Sequence, residues 1–357
     1  MSEESAYRVR VEAWRGDRVE SRHEVLCVVL GARPAVPDRA RLEERAPDTF
    51  LRSAAKPLQL LPVVVAGGVE RWGLEDRDLA VMAASHHGTA GHASRVAGIL
   101  SRLGLGPEHL LCGVHRPYFL GDVPAESLER LHLYGPLHNN CSGNHAAMLA
   151  LALQHGVPPE RYLDPAGPGQ AQVHALVEAL GGVRPHIAVD NCGSPCYGVP
   201  LAAMARAYCF LARPGDVRGL AGSRRALAEA VAPLERIEAG LERVAIAMAQ
   251  HPEWVSGAST GATRLARLRP GELVLKHGAE GVMCLAHRGE AAALALKVTD
   301  GNPRAVFPAL VRLLHDFGWI DAAERDSVAD LAQPELRGHA GQKVGALHVA
   351  HVEPVLS

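Results

Sequence analysis

The sequence predicts an α+β protein in which strands from both chain ends join one mainly antiparallel sheet around a helical middle region. Three observations carry this. Tyr7 to Trp14 alternates apolar and polar residues, and Val19 to Leu30 reads as its return strand after the turn Arg15-Gly16-Asp17-Arg18. Toward the other end, Glu272–Leu275, Gly281–Ala286 and Ala291–Val298 are short apolar runs separated by glycine and by His287-Arg288-Gly289-Glu290, and Lys343–Val352 is a last strand. The chain between them is helical in pattern, with loops rich in Gly, Pro and His at 86–92, 113–124, 135–144, 190–200 and 251–261. Leu58–Ala66 is an apolar run closed by Gly67-Gly68, and Ala146–Gln154 is closed by Gly156. Ser223–Gln250 is rich in Ala, Leu, Glu and Arg, with Pro233 breaking it. These elements predict a single unit over 1–357, with sheet parts at about 5–50 and 270–357 and a mainly helical part at about 51–269.

Composition narrows the function classes. The 357 residues include 37 Lys+Arg against 39 Asp+Glu, a net charge of −2, so no basic surplus exists to neutralise nucleic-acid phosphates. Seven cysteines scattered over a long chain imply no disulfide framework. The start, Met1-Ser2-Glu3-Glu4-Ser5, is acidic and lacks an apolar leader, and no uncharged apolar run is long enough to span a bilayer. A cytoplasmic protein with a small-molecule partner, without nucleic acid or membrane, is the expectation. The 19 histidines are many, but a count alone assigns no function.

The most informative segment is Leu51-Arg-Ser-Ala-Ala-Lys-Pro-Leu58, which contains Ser53-x-x-Lys56. Residues three apart share a helix face, so a hydroxyl and an amine spaced this way can meet. Pro57 belongs near a helix start, which puts Ser53 at the positive end of the helix dipole. A capping serine beside a solvated lysine is the plainer alternative for any one such motif. Far downstream, Lys276-His277-Gly278 ends a predicted strand, and S-x-x-K followed by a late Lys-x-Gly is the layout of the serine β-lactamase group. Ser85-His86-His87-Gly88 lies between them in a polar loop. The candidate pairs are Ser53 with Lys56 and Ser85 with Lys276. Because histidines follow Ser85, the middle element is not the Ser-Asp-Asn of the lactamases.

Cys141 and His145 are four apart, a spacing that suits two zinc ligands on one helical face. A turn entering a helix with Ser142 as its N-cap accounts for the same residues. Cys192 and Cys196 have no second pair at finger or ribbon spacing. Asp190 follows the apolar Ile187-Ala188-Val189, where strands deliver catalytic carboxylates and where loop-stabilising residues also sit. P-loop, dinucleotide and HExxH signatures are absent.

Taken together, the segments resemble the thermolabile, rhizobial-type L-asparaginases of the bacterial asparaginase II family. The resemblance is carried by Arg52–Gln59, Ser85–His92, Asn139–His145, Asp190–Gly193, His251–Gly257, Lys276–Val282 and Lys297–Gly301, in order along nearly the whole chain. It implies a fold similar to that of the glutaminases and serine β-lactamases, a homodimer, and hydrolysis of L-asparagine. It implies two catalytic pairs, Ser53 with Lys56 and Ser85 with Lys276; Ser53 is taken as the attacking hydroxyl with Lys56 as its base, although each serine has its own lysine and the sequence does not choose between them. Arg52, Asp190, His145 and Asn144 fall on the substrate side. The family's zinc is held by the Cys, Lys and His of the Asn-Cys-Ser-Gly-Lys-His segment and by a later Cys. This sequence keeps Cys141 and His145 but has Asn144 at the lysine position and, by spacing, Ala262 at the later cysteine. Weak zinc binding or none is expected, and no cofactor is required. Two alternatives remain at this level: zinc-assisted amide hydrolysis, and a non-catalytic binder that retains the pocket.

Overall fold

Residues 4–31, 48–120 and 133–355 are described by a computed structural model. The expected hairpin forms from strands β1 (Glu4–Arg15) and β2 (Arg18–Leu30). Gly16, at φ +58°, supplies the left-handed turn residue that joins them. Strand β3 (Asp48–Phe50) leads into a 3₁₀ turn, Arg52–Ala55, and helix α1 (Lys56–Val65) follows. The central region then builds helices α2 (Asp76–Met82), α3 (Ala90–Arg102), α4 (Ser142–Gln154) and α5 (Pro168–Gly181). Strands β4 (His186–Val189) and β5 (Pro195–Pro200) precede helices α6 (Leu201–Ala212), α7 (Leu234–Gln250) and α8 (Gly261–Ala266). The chain closes with β6 (Leu273–Gly278), β7 (Val282–His287), β8 (Ala292–Val298), α9 (Val306–Asp316), β9 (Glu335–Arg337) and β10 (Lys343–Pro354).

Among the described residues, seven strands form one sheet in the order β6-β7-β8-β2-β1-β10-β9. Every pairing in it is antiparallel, with Val25 opposite Val298 and Val9 opposite Val352. The amino-terminal hairpin is thus inserted between carboxy-terminal strands. Both ends share one sheet, as the pattern predicts.

Side-chain alternation puts the two sheet faces into separate cores. Val9, Val11, Val25, Leu294 and Leu296 pack with α9 residues such as Leu310 and Leu314. Val28, Leu30, Ala293 and Ala295 belong to the larger core with the middle helices. The Ala-rich α6 is buried along its whole length and lies on β8, β7 and β2, where small residues on both surfaces allow close approach. None of the described helices is long and apolar enough to cross a membrane.

Two local expectations are corrected, and a third lies partly outside the described residues. The segment 190–200, read as a loop, contains β5, which pairs with β3 and β4 in a small second sheet. Cys141, not Ser142, occupies the N-cap position of α4; the Ser142 hydroxyl donates to the Leu137 carbonyl at 2.9 Å. Of the polar loop expected at 113–124, the part beyond residue 120 lies outside the described residues.

Candidate active site

The 3₁₀ turn that carries Ser53 is anchored from two directions. Leu51 N–H bonds Tyr197 O on β5 at 2.9 Å, and the buried Tyr208 hydroxyl of α6 donates to Ala54 O at 2.8 Å. Arg52 sits in the left-handed region at φ +50°, a conformation that costs a non-glycine residue about 1–2 kcal/mol. Such strain persists only where surroundings over-determine it. Here the determinant is an ion pair: Arg52 Nη2 and Nε donate to the two Asp190 carboxylate oxygens at 2.9 and 3.1 Å. Burial pushes the Asp190 carboxyl up, but the bonds and charge of Arg52 outweigh it and hold the group below its ordinary range.

Lys56 opens α1 and is buried. Its Nζ donates to Ala84 O at 2.8 Å, Ser85 Oγ at 2.9 Å and Cys141 Sγ at 3.1 Å, which is the full complement of an ammonium group. Lys276 reaches the same hydroxyl from edge strand β6: its Nζ lies 2.9 Å from Ser85 Oγ and 2.9 Å from its neighbour's carbonyl, His277 O. Burial, reinforced by the charge of Lys56, drives the Lys276 amine well below its ordinary pKa. Ser85 itself is pinned after α2, with its N–H on Val255 O and that of His86 on Asn140 O, both at 3.1 Å.

Lys56 therefore meets Ser85 rather than Ser53. The i,i+3 spacing does not produce the expected contact because Ser53 lies on the 3₁₀ turn while the donors of Lys56 are taken by other groups. Among the described residues the Ser53 hydroxyl makes no hydrogen bond, and the residue is part-exposed. Ser85, at 1% exposure, is sealed between the lysines.

Cys141 and Cys192 come together beside Lys56. Hydrogen bonding from Cys192 and the charge of Lys56 overcome burial and hold the Cys141 thiol down at about 6. The Cys192 thiol is pushed up to about 11 by its bond to Cys141 and by burial. His145 Nδ1 pairs with Tyr162 Oη at 2.5 Å, and its Nε2 is buried beside the Cys192 thiol. Asn144 donates to Met82 O at 3.4 Å, leaving its Oδ1 buried and unpaired. Ala262 packs in the core on the opposite sheet face from Cys141, so the later cysteine that meets Cys141 is Cys192. No three His, Cys, Asp or Glu side chains among the described residues are arranged to hold a metal, and Lys56 takes up the Cys141 sulfur.

Two contacts near the site gave no signal in the sequence. Tyr162 follows His145 by 17 positions in an unremarkable segment, yet its hydroxyl fixes the ring. The ring of His87 meets that of Tyr118 edge-on at 6.2 Å.

A sequence model of the L-asparaginase II family matches residues 11–349. The chain belongs to this family. Membership makes it an enzyme, an amidohydrolase of the L-asparaginase type. Comparison with curated proteins finds no match. In this L-asparaginase II chain the matched span runs from the first strand through the last, so it includes every residue of the cluster built above.

Proposed function

We propose that the chain hydrolyses the side-chain amide of L-asparagine to L-aspartate and ammonia through a relay linking Ser53, Lys56, Ser85 and Lys276. What carries the reading is that Lys56 Nζ and Lys276 Nζ each lie 2.9 Å from Ser85 Oγ in a buried site. Two ammonium groups on one hydroxyl repel, so one amine gives up its proton, and the depressed pKa identifies it as Lys276. Neutral Lys276 accepts the Ser85 proton while Ser85 accepts one from Lys56. This double shift leaves Lys56 neutral; its amine, bonded to Ser85 and not to Ser53 in the free enzyme, must then turn toward the 3₁₀ turn to take the proton of Ser53.

Ser53 is the hydroxyl assigned to attack, because it is part-exposed whereas Ser85 is sealed. Its Oγ bonds the amide carbon, the C–N bond breaks, and ammonia leaves with a proton returned along the relay. Water then cleaves the ester and restores the Ser53 hydroxyl. Arg52 and Asp190, paired in the free enzyme, are complementary to the α-carboxylate and α-ammonium of a zwitterionic substrate. No step passes through a metal. We assign the chain to the serine β-lactamase/glutaminase-like fold, on the strength of an edge-strand lysine and the lysine of a Ser-x-x-Lys segment meeting on one buried hydroxyl.

The test is ammonia release from L-asparagine beside L-glutamine, with peptide mapping of acid-quenched enzyme. Release from asparagine and an acyl group on the Ser53 peptide are expected. An adduct on Ser85 and none on Ser53 reverses which hydroxyl attacks, and no release from asparagine removes the function.

A further inference from the structure

Tyr118 opens a short 3₁₀ turn, Tyr118–Leu120, and two histidines from the segments around the reacting groups hold its ring. His87, two residues after Ser85, meets it edge-on at 6.2 Å. His115 lies beside it with ring centroids 5.0 Å apart. His115 is itself fixed: its Nε2 accepts the Asn140 N–H at 3.0 Å, and its Nδ1 donates to Arg116 O at 2.7 Å. Asn140 precedes Cys141, and its carbonyl accepts the His86 N–H at 3.1 Å. Pro117 packs on the same loop, since a Cβ on Gly88 would stand 3.2 Å from Pro117 Cβ.

At 51% exposure the Tyr118 ring belongs to neither core. It lies within electrostatic reach of Cys141, Lys56, Asp190 and Arg52, and its hydroxyl has no hydrogen-bond partner among the described residues. Those four groups mark the two ends of the bound substrate. Arg52 and Asp190 match its charged α-groups, and Lys56 stands where the amide reacts. A phenol near both ends lies along the side-chain amide between them. Attack on that amide puts negative charge on its oxygen, which then needs a donor. Asp190 is an acceptor, and Cys141 already takes a bond from Lys56. Lys56 must be neutral to act as base, and Arg52 is tied to Asp190. Burial raises the phenol above its ordinary pKa, so it keeps a proton to donate.

We propose that Tyr118 is a further catalytic residue, whose phenol donates a hydrogen bond to the side-chain carbonyl oxygen of asparagine and holds the charge that forms there. The inference rests on the amide-cleaving centre proposed above and adds to it an oxyanion donor. The phenol keeps its proton throughout. As Ser53 Oγ bonds the carbon, the C=O electron pair moves onto oxygen; it returns when the C–N bond breaks and ammonia leaves with the proton that the relay took from Ser53. Attack of water on the ester raises the same charge on the same oxygen.

The experiment is Tyr118→Phe, which removes the hydroxyl and leaves the ring on His87 and His115. Steady-state rates are taken per folded enzyme, with the folded fraction read from urea unfolding of each protein. With L-asparagine, kcat is expected to fall about 10²-fold and KM to stay within about threefold. The β-methyl ester of L-aspartate, which forms the same oxyanion but expels an alcohol, is expected to lose kcat by the same factor. A fall in kcat of less than about tenfold, or a change carried by KM, overturns the role while the centre stands. A loss confined to the amide also overturns it, because the phenol would then serve the leaving nitrogen. No ammonia from asparagine with the wild type removes the centre and this role with it.

Discussion

Lys276→Met removes the amine that accepts a proton from Ser85 while keeping most of the side-chain volume. Lys276 is 0% exposed, and burial together with Lys56 sets its pKa in the fold well below the ordinary 10.5. In the unfolded chain the amine keeps its proton up to about pH 10.5, whereas the folded form releases it earlier. Between those two values the unfolded state binds one proton more. Stability then rises with pH by about 1.4 kcal/mol per pH unit from this group alone. Below the folded pKa both states hold the proton and the slope vanishes.

Methionine does not titrate, so the variant lacks this contribution. Urea unfolding followed by tryptophan fluorescence, stepped upward in pH, should show the wild type gaining on the variant by about 1.4 kcal/mol per pH unit wherever the pH lies between the folded pKa and 10.5. Titrating groups remote from Lys276 are common to both proteins and cancel in the difference. Turnover should fall by about 10²–10⁴-fold in the variant, the usual contribution of a positioned acid or base. In the wild type, kcat/KM should decline as pH drops through the folded pKa of Lys276. Equal stability slopes in the two proteins would refute the reasoning, because Lys276 would then be protonated in the fold and unable to accept from Ser85.

Two further outcomes follow from the charged pairs. Asp190→Asn keeps the side-chain shape but removes the charge, so KM for asparagine should rise about 10–100-fold, the worth of one charge-assisted contact, with a smaller change in kcat in steady-state assays. Cys192→Ala removes the bond that contributes most to holding Cys141 at about 6; the pH profile of Cys141 alkylation by iodoacetamide should move upward, and an unmoved profile contradicts that origin.

The parts of this molecule written in local pattern were legible from sequence. The Tyr7–Trp14 alternation and its return run Val19–Leu30 became β1 and β2, and a one-residue slip would move Val9, Val11 and Val25 out of the core they share with α9. Strand β6 was legible as a short apolar run leading to Lys276-His277-Gly278. What stayed hidden depends on contacts between distant segments. Cys192 meets Cys141 only because the small sheet of β3, β5 and β4 folds its loop over α4, and Asp48–Phe50 is too short for a periodic signal. The Ser53-x-x-Lys56 spacing was read as a contact, yet acceptors from Ala84, Ser85 and Cys141 outcompete a hydroxyl one turn away. Spacing restricts where side chains can reach; it does not choose among partners once a third segment arrives.

Gly278 shows how tightly that arrival is constrained. The relay needs the 3₁₀ turn of residues 52–55 and the end of β6 side by side, although more than half the chain separates them in sequence. An added Cβ at 278 would approach Leu51 O to 2.6 Å, Val282 Cβ to 3.1 Å and Arg52 Cβ to 3.3 Å. The first contact is with backbone that is itself tied to Tyr197, so no flexible side chain can swing aside. Gly278→Ala must therefore push the turn away from β6, which lengthens the reach between Ser53 and the lysines and disturbs the strained Arg52. Overpacking of this kind costs about 1–3 kcal/mol of stability. A displacement near 1 Å at a reacting pair costs about 10²-fold in rate, so kcat should fall by roughly that factor while the variant remains folded at 25 °C. Near-normal kcat with a large drop in melting temperature would mean that Gly278 serves packing alone and that the relay tolerates a looser cleft.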